Sequence, residues 1–244
     1  MEKELNRKTI FVIDKPKSVI AESFKILRTN IRFALKMNDS KALLVTSPGQ
    51  SEGKTTVSAN LAASFAEAGF KTIIIDADLR IPVQHKIFGN ENKIGLSNYL
   101  NNEISLSETI NSTFIDNLSI ITAGPIPPNS AELLTSKTLS DMFQNLKKEY
   151  KVVICDSAPV NVVADTQIIS PNVDGTLIVL SAGSTRKIEF KRALEALEYT
   201  NIVGIVLNVI TKSTDRQYYS YHYYSYYNKY SYQNNKKKNS KTLD

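Results

Sequence analysis

The chain of 244 residues has one cysteine, two histidines and no apolar run near the ~20 residues that a membrane-spanning helix needs. Cys155, which lies in an apolar run, has no partner for an internal disulfide and is expected in the core of a protein from a reducing compartment. Neither His85 nor His222 has metal-ligand spacing, and no serine or cysteine triad is discernible. No His-Arg-Asp or Asp-Phe-Gly triplet occurs, which excludes the eukaryotic-type protein kinase machinery. With no signal-peptide pattern either, a cytosolic protein is expected.

Most of the positive charge lies at the C-terminal end of the chain. Residues 212–244 hold seven Lys or Arg and two Asp, so they carry +5 of the net charge of +6. The remaining body is therefore almost neutral, and its charge gives no reason to expect a nucleic-acid partner. We predict a body at residues 1–211 and a flexible tail at residues 212–244.

The tail is dominated by tyrosine. Nine of the twelve tyrosines of the chain lie in it: Tyr218, Tyr219, Tyr221, Tyr223, Tyr224, Tyr226, Tyr227, Tyr230 and Tyr232. No branched aliphatic side chain occurs between Lys212 and Leu243, so the tail has too little apolar surface to offset its ordering entropy. A disordered tail is expected, either a set of phosphoacceptors or a sticky segment that stacks nucleic-acid bases.

Short β-branched apolar runs recur through the body. They span residues 42–46, 72–75, 118–121, 152–155, 176–180 and 202–207. Because these runs are apolar throughout and do not alternate, they are typical of strands buried on both faces of a parallel sheet. Helical segments separate most of them, notably residues 54–68, which Gly69 is placed to cap. The sequence therefore predicts a doubly wound, mostly parallel α/β sheet with its ligand at the carboxyl ends of the strands.

A phosphate-binding loop follows the first predicted strand. Residues 46–56 read TSPGQSEGKTT and precede a predicted helix, which is the context that such a loop requires. The strict pattern needs glycine at Pro48, whereas this chain has Gly49. Backbone N–H groups would face the phosphates, Lys54 would reach the β and γ oxygens, and the Thr55 hydroxyl would bind Mg²⁺. The predicted nucleotide-binding residues are Gly49, Gln50, Ser51, Glu52, Gly53, Lys54, Thr55, Thr56 and Asn208, the last as a possible adenine contact.

Two further strands end in aspartate. Asp76 and Asp78 follow the second predicted strand, and Asp156 follows the fourth. Carboxylates at the ends of parallel strands beside a phosphate loop can hold Mg²⁺, and one can accept the proton of an attacking hydroxyl. A turn or helix-cap role is the plainer alternative for each.

An amphipathic helix is predicted at about residues 18–37. Its apolar stripe is Ile20, Phe24, Leu27, Ile31 and Leu35. Charged side chains lie on one flank of that stripe: Glu22, Lys25, Arg28 and Arg32. From the residues alone, a solvated face with i,i+3 ion pairs is favoured over a contact with a partner subunit.

These features together resemble the bacterial tyrosine kinases of capsule and exopolysaccharide synthesis, in the Gram-positive form whose membrane adaptor is a separate protein. The resemblance covers essentially the full length. It lies in the loop at 49–56, the Asp-x-Asp segment at 75–80, the strand end at 153–159, the AGPIPPNSAELL run at 123–134 and the tyrosine cluster. In three places the sequence differs from the family pattern: Lys25 replaces an arginine, Ser51 stands where glycine is common, and Asp-Ser-Ala-Pro begins at Asp156.

The resemblance implies an ATP- and Mg²⁺-dependent protein-tyrosine autokinase that phosphorylates its tail in trans. Lys54, Asp76 and Asp78 would be catalytic, and Thr55, Asp76 and Asp156 would bind metal. The family's helical Glu-x-x-Arg-x-x-Arg motif corresponds to Glu22, Lys25 and Arg28, so it implies an oligomerisation surface there.

The resemblance also implies partners. They are a ring of like subunits, the cytoplasmic segment of a transmembrane adaptor or polysaccharide co-polymerase, and a cognate tyrosine phosphatase. The protein would then be cytoplasmic, held at the inner face of the membrane by the adaptor.

Two other functions were weighed. A partitioning or division-site ATPase of the same P-loop branch would carry a signature lysine at the position of Gly49 and often a membrane-seeking terminal helix, which the Lys236-Lys-Lys238 end cannot form. A nucleic-acid-binding module would use the basic aromatic tail and would bind DNA with steep salt dependence.

Overall fold

The structure of the protein, a computed structural model, describes residues 9–210. The tail at 212–244, with all nine predicted phosphoacceptor tyrosines, lies outside the described residues. The strands are β1 (Lys41–Thr46), β2 (Thr72–Asp76), β3 (Ile110–Ser112), β4 (Leu118–Ile121), β5 (Val152–Asp156), β6 (Gly175–Ser181) and β7 (Ile202–Asn208). The longer helices are α2 (Val19–Ala34), α3 (Lys54–Glu67), α8 (Lys137–Glu149) and α10 (Lys187–Ala196). The shorter helices are α1 (Phe11–Asp14), α4 (Gln84–Phe88), α5 (Leu96–Leu100), α6 (Leu106–Thr109), α7 (Ser130–Leu134) and α9 (Asp165–Ile169), which a 3-10 turn at Ser170–Asn172 follows.

The seven strands form one sheet in the order β3-β4-β2-β5-β1-β6-β7. All neighbouring pairs are parallel except β3 with β4. The chain leaves β1 toward β2 and β4, returns to β5, and then continues to β6 on the other side of β1. Ligands bind at the carboxyl ends of the strands where such a reversal occurs, which here is the edge formed by β1, β5 and β2. The predicted mostly parallel α/β sheet is confirmed.

Alternate residues of the central strands enter two cores on opposite faces of the sheet. Leu43 and Val45 of β1 face a core built with α2 and α3, whereas Ala42 and Leu44 face a core built with α5, α8 and α9. Every residue of β2 and of β5 is buried, as a strand covered on both faces requires. Cys155 is buried in the second core, as predicted.

All six predicted strands are present, with bounds that differ from the prediction by at most one residue at either end. Strand β3 was not predicted, because it has three residues, only one of them apolar; it pairs antiparallel with β4 at the sheet edge. Helix α3 ends at Glu67, one residue earlier than predicted, and Ala68 is its C-cap residue. Gly69 takes the left-handed conformation (φ +83°).

Helix α2 begins where predicted and is shorter than predicted. The Ser18 hydroxyl caps it by accepting a hydrogen bond from the backbone N–H of Ala21, and Leu35 ends it. The prediction was wrong for one residue of the apolar stripe: Ile20 is 45 % exposed, and the neighbouring Ala21 is buried instead. Within residues 9–210, no helix has both the length and the hydropathy needed to cross a membrane.

Candidate functional site

The loop between β1 and α3 is held from behind by a buried carboxylate. The side chain of Glu52 accepts hydrogen bonds from the Gly49 N–H (2.9 Å) and the Thr185 hydroxyl (2.9 Å). Its burial raises the pKa of Glu52, against the lowering effect of those two hydrogen bonds. Glu52 was predicted to bind nucleotide. Its side chain ties the loop to the segment after β6, and its role in nucleotide binding stays a prediction.

Asn208 supports the same loop at the end of β7. Its side-chain amide donates to the Glu52 carbonyl oxygen (3.0 Å), and a Cβ added to Gly53 would lie 2.0 Å from that amide nitrogen. Gly53 also has a φ of +92° at the start of α3, so both its conformation and its contact favour glycine. The predicted contact of Asn208 with adenine stays a prediction, since its amide lies against the loop.

Lys54 lies in a cluster of three carboxylates. Its Nζ is 2.8 Å from Asp78 Oδ2 and 3.8 Å from Asp156 Oδ1, and only 9 % of the residue is exposed. Burial alone would lower the pKa of Lys54, but the charges of Asp156 and Asp78 outweigh it and raise the pKa. Lys54 is therefore a fixed cation that holds the Asp78 carboxylate at the first turn of α3.

Asp76 is fully buried at the end of β2. Its Oδ2 accepts hydrogen bonds from the backbone N–H groups of Val83 (3.0 Å) and Gln84 (2.8 Å). Its Oδ1 is buried and has no hydrogen-bond partner among residues 9–210. Burial and, next, the charge of Asp156 raise the pKa of Asp76 to about 8. An unpartnered buried carboxylate oxygen is an unsatisfied acceptor that a cation or a water molecule would complete.

Asp156 lies beside Asp76, because β2 and β5 pair in a register that sets these two residues opposite each other. Asp156 Oδ1 accepts a hydrogen bond from the Ser58 hydroxyl (3.2 Å), and Oδ2 accepts one from the Gln84 side-chain amide (2.9 Å). The same amide donates to the Thr55 carbonyl oxygen (3.1 Å). Burial raises the pKa of Asp156. Gln84 thus contacts both carboxylates, Asp156 through its side-chain amide and Asp76 through its backbone N–H.

Sequence reasoning missed three of these partners. Ser58 and Gln84 are wholly buried polar residues, and Asp165 is wholly buried where it forms a two-bond ion pair with Arg80 (3.0 and 3.1 Å). Ser58 lies four residues, about one helical turn, after Lys54, and that spacing was a signal for it. Nothing in the local sequence indicates which distant group Gln84 or Asp165 contacts.

A cleft of about 420 Å³ opens over the loop and the carboxylates. It is lined by Gln50, Ser51, Gly53, Lys54, Thr55, Thr56, Asp78, Arg80, Ile81, Val83, Ala158, Pro159, Val162 and Val163. Among the predicted site residues, Gly49, Glu52, Asn208, Asp76 and Asp156 do not line it. Asp76 and Asp156 lie beneath its floor, in contact with the groups that do.

The oxygen donors of the cluster suit a hard divalent cation. Thr55, which has a hydroxyl, lines the cleft, and Asp76 and Asp156 bring carboxylates to the neighbouring strand ends. In residues 9–210, no group of three or more His, Cys, Asp or Glu side chains is arranged to hold a metal ion by itself. Mg²⁺ is usually held by one or two carboxylates together with substrate phosphates. The residues therefore fit Mg²⁺ that arrives with a nucleotide.

The predicted oligomerisation residues lie on α2, and two of the three side chains are engaged within it. Lys25 Nζ is 3.5 Å from Glu22 Oε2. Arg28 donates to the carbonyl oxygen and to the hydroxyl of Ser64 on α3, so its guanidinium faces the neighbouring helix of the same chain. The role of these residues in oligomerisation stays a prediction.

The fold and the loop define a P-loop nucleotide-binding domain, and residues 49–185 match the family model described as an AAA domain. The Staphylococcus aureus protein CapB, named provisionally as a tyrosine-protein kinase, is 40 % identical over 212 residues, which are 86 % of this chain and 93 % of that protein. Tyrosine-protein kinase YwqD of Bacillus subtilis (strain 168) is 37 % identical over 217 residues, 87 % of this chain and 92 % of that protein. The chain belongs to the bacterial tyrosine-protein kinases.

Solved structures agree with this assignment. The crystal structure of the chimerical protein CapA2B2 is 39 % identical and superposes with a TM-score of 0.79 over 84 % of this chain and 92 % of that one. The division-site protein MinD of Pyrococcus horikoshii, in complex with Mg-ADP, has a TM-score of 0.61 over 72 % of this chain and 76 % of that one, at 19 % identity. That likeness shows the fold alone. The relatives therefore confirm the kinase interpretation over the partitioning or division-site ATPase.

Replacing Ser51 by glycine is expected to stabilise the protein. Ser51 is exposed and has a φ of +61°, where an L-residue costs roughly 1–2 kcal/mol and glycine does not. Part of this gain is lost to the greater chain entropy of unfolded glycine, so Ser51→Gly should raise the free energy of unfolding by about 0.5–1 kcal/mol. Ser51→Val, β-branched at the same φ, should lower it. The measurement is urea unfolding of the wild type, Ser51→Gly and Ser51→Val. Equal urea midpoints for the three proteins would show that the backbone at Ser51 is not strained.

The free energy of unfolding of the nucleotide-free protein should fall as the pH rises, because of Asp76. Its pKa rises from 3.8 to about 8 on folding. Between these values the folded state retains a proton that the unfolded chain has released, so the free energy of unfolding falls as the pH rises through this window. Urea unfolding at several pH values across this range gives the slope of the unfolding free energy against pH. That slope should be smaller for Asp76→Asn than for the wild type. The matched control is Asp116→Asn, at an exposed aspartate, which should keep the wild-type slope. If Asp76→Asn has the same slope as the wild type and Asp116→Asn, folded Asp76 does not retain a proton in this pH range.

Proposed function

We propose that this kinase transfers the γ-phosphate of ATP, with Mg²⁺, to tyrosines in the 212–244 tail of a neighbouring copy. The observation that carries the proposal is the buried contact of Lys54 with Asp78, between the phosphate loop and the Asp76 and Asp156 carboxylates. A phosphate-binding cation and a candidate base for a hydroxyl thus lie side by side. The chain that holds them belongs to the tyrosine-protein kinases and carries nine tyrosines in its tail.

The residues divide between holding the nucleotide and preparing the phosphate for transfer. Backbone N–H groups of the loop and of the first turn of α3 bind the phosphates, and Lys54 pairs with the β and γ oxygens. Thr55, Asp76 and Asp156 would hold Mg²⁺. When bound, Mg²⁺ neutralises charge that develops on the transferred phosphate. Gln84 and Ser58 keep the Asp156 carboxylate in place through their hydrogen bonds.

Of the two candidate bases, Asp78 is better placed than Asp76. Asp78 lines the cleft, whereas Asp76 is fully buried and accepts two backbone N–H groups. When a triphosphate arrives, Lys54 leaves Asp78 for the phosphate oxygens, and the Asp78 carboxylate becomes free. The phenol oxygen then attacks the γ-phosphorus, the bond to the β–γ bridging oxygen breaks, and the phenol proton passes to Asp78. The products are phosphotyrosine and ADP.

Transfer between copies follows from the tether of the tail. In an oligomer, the tail of one copy is presented to the next cleft at an effective concentration of about 1 mM. The contact that builds such a ring would be formed by Glu22, Lys25 and Arg28. Lys25 would make this contact weaker than the family's arginine does, because lysine cannot pair with a carboxylate through two parallel bonds.

The partners follow from the family. The cytoplasmic segment of a transmembrane adaptor would activate the kinase and hold it at the inner face of the membrane, and a tyrosine phosphatase would reverse the reaction. In this setting the phosphorylation cycle would regulate the synthesis and export of capsular polysaccharide or exopolysaccharide.

A mixture of two half-functional proteins tests the proposal. One protein carries Lys54→Met and an intact tail, and the other ends at residue 211 with an intact loop. With ATP, Mg²⁺ and the adaptor segment, mass spectrometry should find phosphotyrosine on the Lys54→Met chain, because the truncated enzyme supplies the active cleft. A Lys54→Met protein with phenylalanine at all nine tail tyrosines is the matched control. Release of inorganic phosphate with no modified tyrosine would overturn the proposal.

A further inference from the structure

The cleft has an apolar half that a triphosphate does not explain. Ile81 is 59 % exposed and Val162 is 53 % exposed, and both line the same cleft as Lys54 and Asp78. Single exposed aliphatic side chains are ordinary on a protein surface, but two that line one pocket beside a charged cluster form a binding surface of mixed character.

The two apolar walls come from different segments. Ile81 belongs to the segment between β2 and α4, and Val162 belongs to the segment between β5 and α9. Pro159 and Val163 extend the second wall. Both segments begin at the strand ends that carry the carboxylates, so the apolar surface adjoins the side of the cleft where Lys54 meets Asp78.

Hydrogen bonds fix Ile81 relative to the candidate base. The Ile81 N–H donates to Asp78 Oδ1 (3.0 Å), while Asp78 Oδ2 accepts from Lys54. Ile81 is thus three residues from Asp78 in a turn closed by the same carboxylate.

An ion pair holds the two walls together. Arg80, next to Ile81, makes two hydrogen bonds with Asp165, which is three residues after Val162 and wholly buried. A two-bond pair of this kind fixes orientation as well as distance. The ion pair therefore links the segment that carries Ile81 to the segment that carries Val162.

We propose that Ile81 and Val162 form the seat for the aromatic ring of the acceptor tyrosine, supplied by the tail of a second copy. The inference rests on the proposed function and adds the residues that select tyrosine. A phenol ring offers two apolar faces and one polar edge, so it can pack between aliphatic walls while its hydroxyl meets Asp78. A serine has no ring to fill the seat, so the seat would discriminate against it. The tail is a fitting source, because the described chain ends at Ile210, eight residues before Tyr218.

The test compares the wild type with an Ile81→Ser/Val162→Ser variant. Both side chains are more than half exposed, so the substitutions should leave the fold intact. The first probe is a labelled peptide of residues 214–234 with phenylalanine at every tyrosine, whose binding to each protein is followed by fluorescence anisotropy. The second is the same peptide with its tyrosines, used as the substrate. Ile94→Ser, in a residue that is 52 % exposed and does not line the cleft, is the matched control.

The double variant should bind the phenylalanine peptide, and use the tyrosine peptide, with a Kd and a KM at least about tenfold higher, the effect of removing apolar contacts from a pocket. Its affinity for Mg-ADP should not change, and Ile94→Ser should behave as the wild type. A serine-substituted peptide should bind the wild type as weakly as the phenylalanine peptide binds the variant. Unchanged peptide binding, or an equal loss of Mg-ADP affinity, would overturn the seat. Because the binding arm needs no catalysis, it decides the question even if no phosphotyrosine forms.

Discussion

One buried cation among three carboxylates is the constraint on which the site depends. Lys54 contacts Asp78 and Asp156, and Asp76 lies directly opposite Asp156 in the sheet. Burial raises the pKa of Asp76 to about 8, to which the charge of Asp156 adds, and burial raises the pKa of Asp156 as well. The charge of Lys54 lowers both pKa values but does not offset these effects. The nucleotide-free site therefore carries a deficit of positive charge, which a divalent cation bound with phosphate would correct.

The rest of the fold keeps this unfavourable arrangement in place. The parallel register of β2 and β5 brings the carboxylates together, and the buried amide of Gln84 spans Asp156 and the Thr55 carbonyl. On the other side, Glu52 fixes the phosphate loop to the segment after β6 through Thr185. Free energy released by the two apolar cores can offset the cost of the buried charges, as is common where a site is prepared for a ligand.

Local sequence signals determined most of the framework and only part of the site. The apolar runs that became β1, β2, β4, β5, β6 and β7 were readable because each is covered on both faces, and the loop at 49–56 was readable from its motif. The edge strand β3 has no such run. Contacts of Gln84 with Asp156 and of Arg80 with Asp165 join residues 72 and 85 positions apart, and only the assembled sheet decides such pairs. Ser51 was noted as a departure from the family pattern, but its positive φ needed the backbone.

The charge deficit is tested most directly by calorimetric titration of ADP with and without Mg²⁺ into the wild type and into Asp156→Asn. Without Mg²⁺, the buried carboxylates repel the diphosphate, so the wild type should bind at least about tenfold more weakly, a change of about 1.4 kcal/mol. In Asp156→Asn the repulsion is smaller, so the difference between the two conditions should narrow, chiefly through tighter binding of metal-free ADP. Equal affinity of the wild type under both conditions, or an unchanged difference in the variant, would contradict the account.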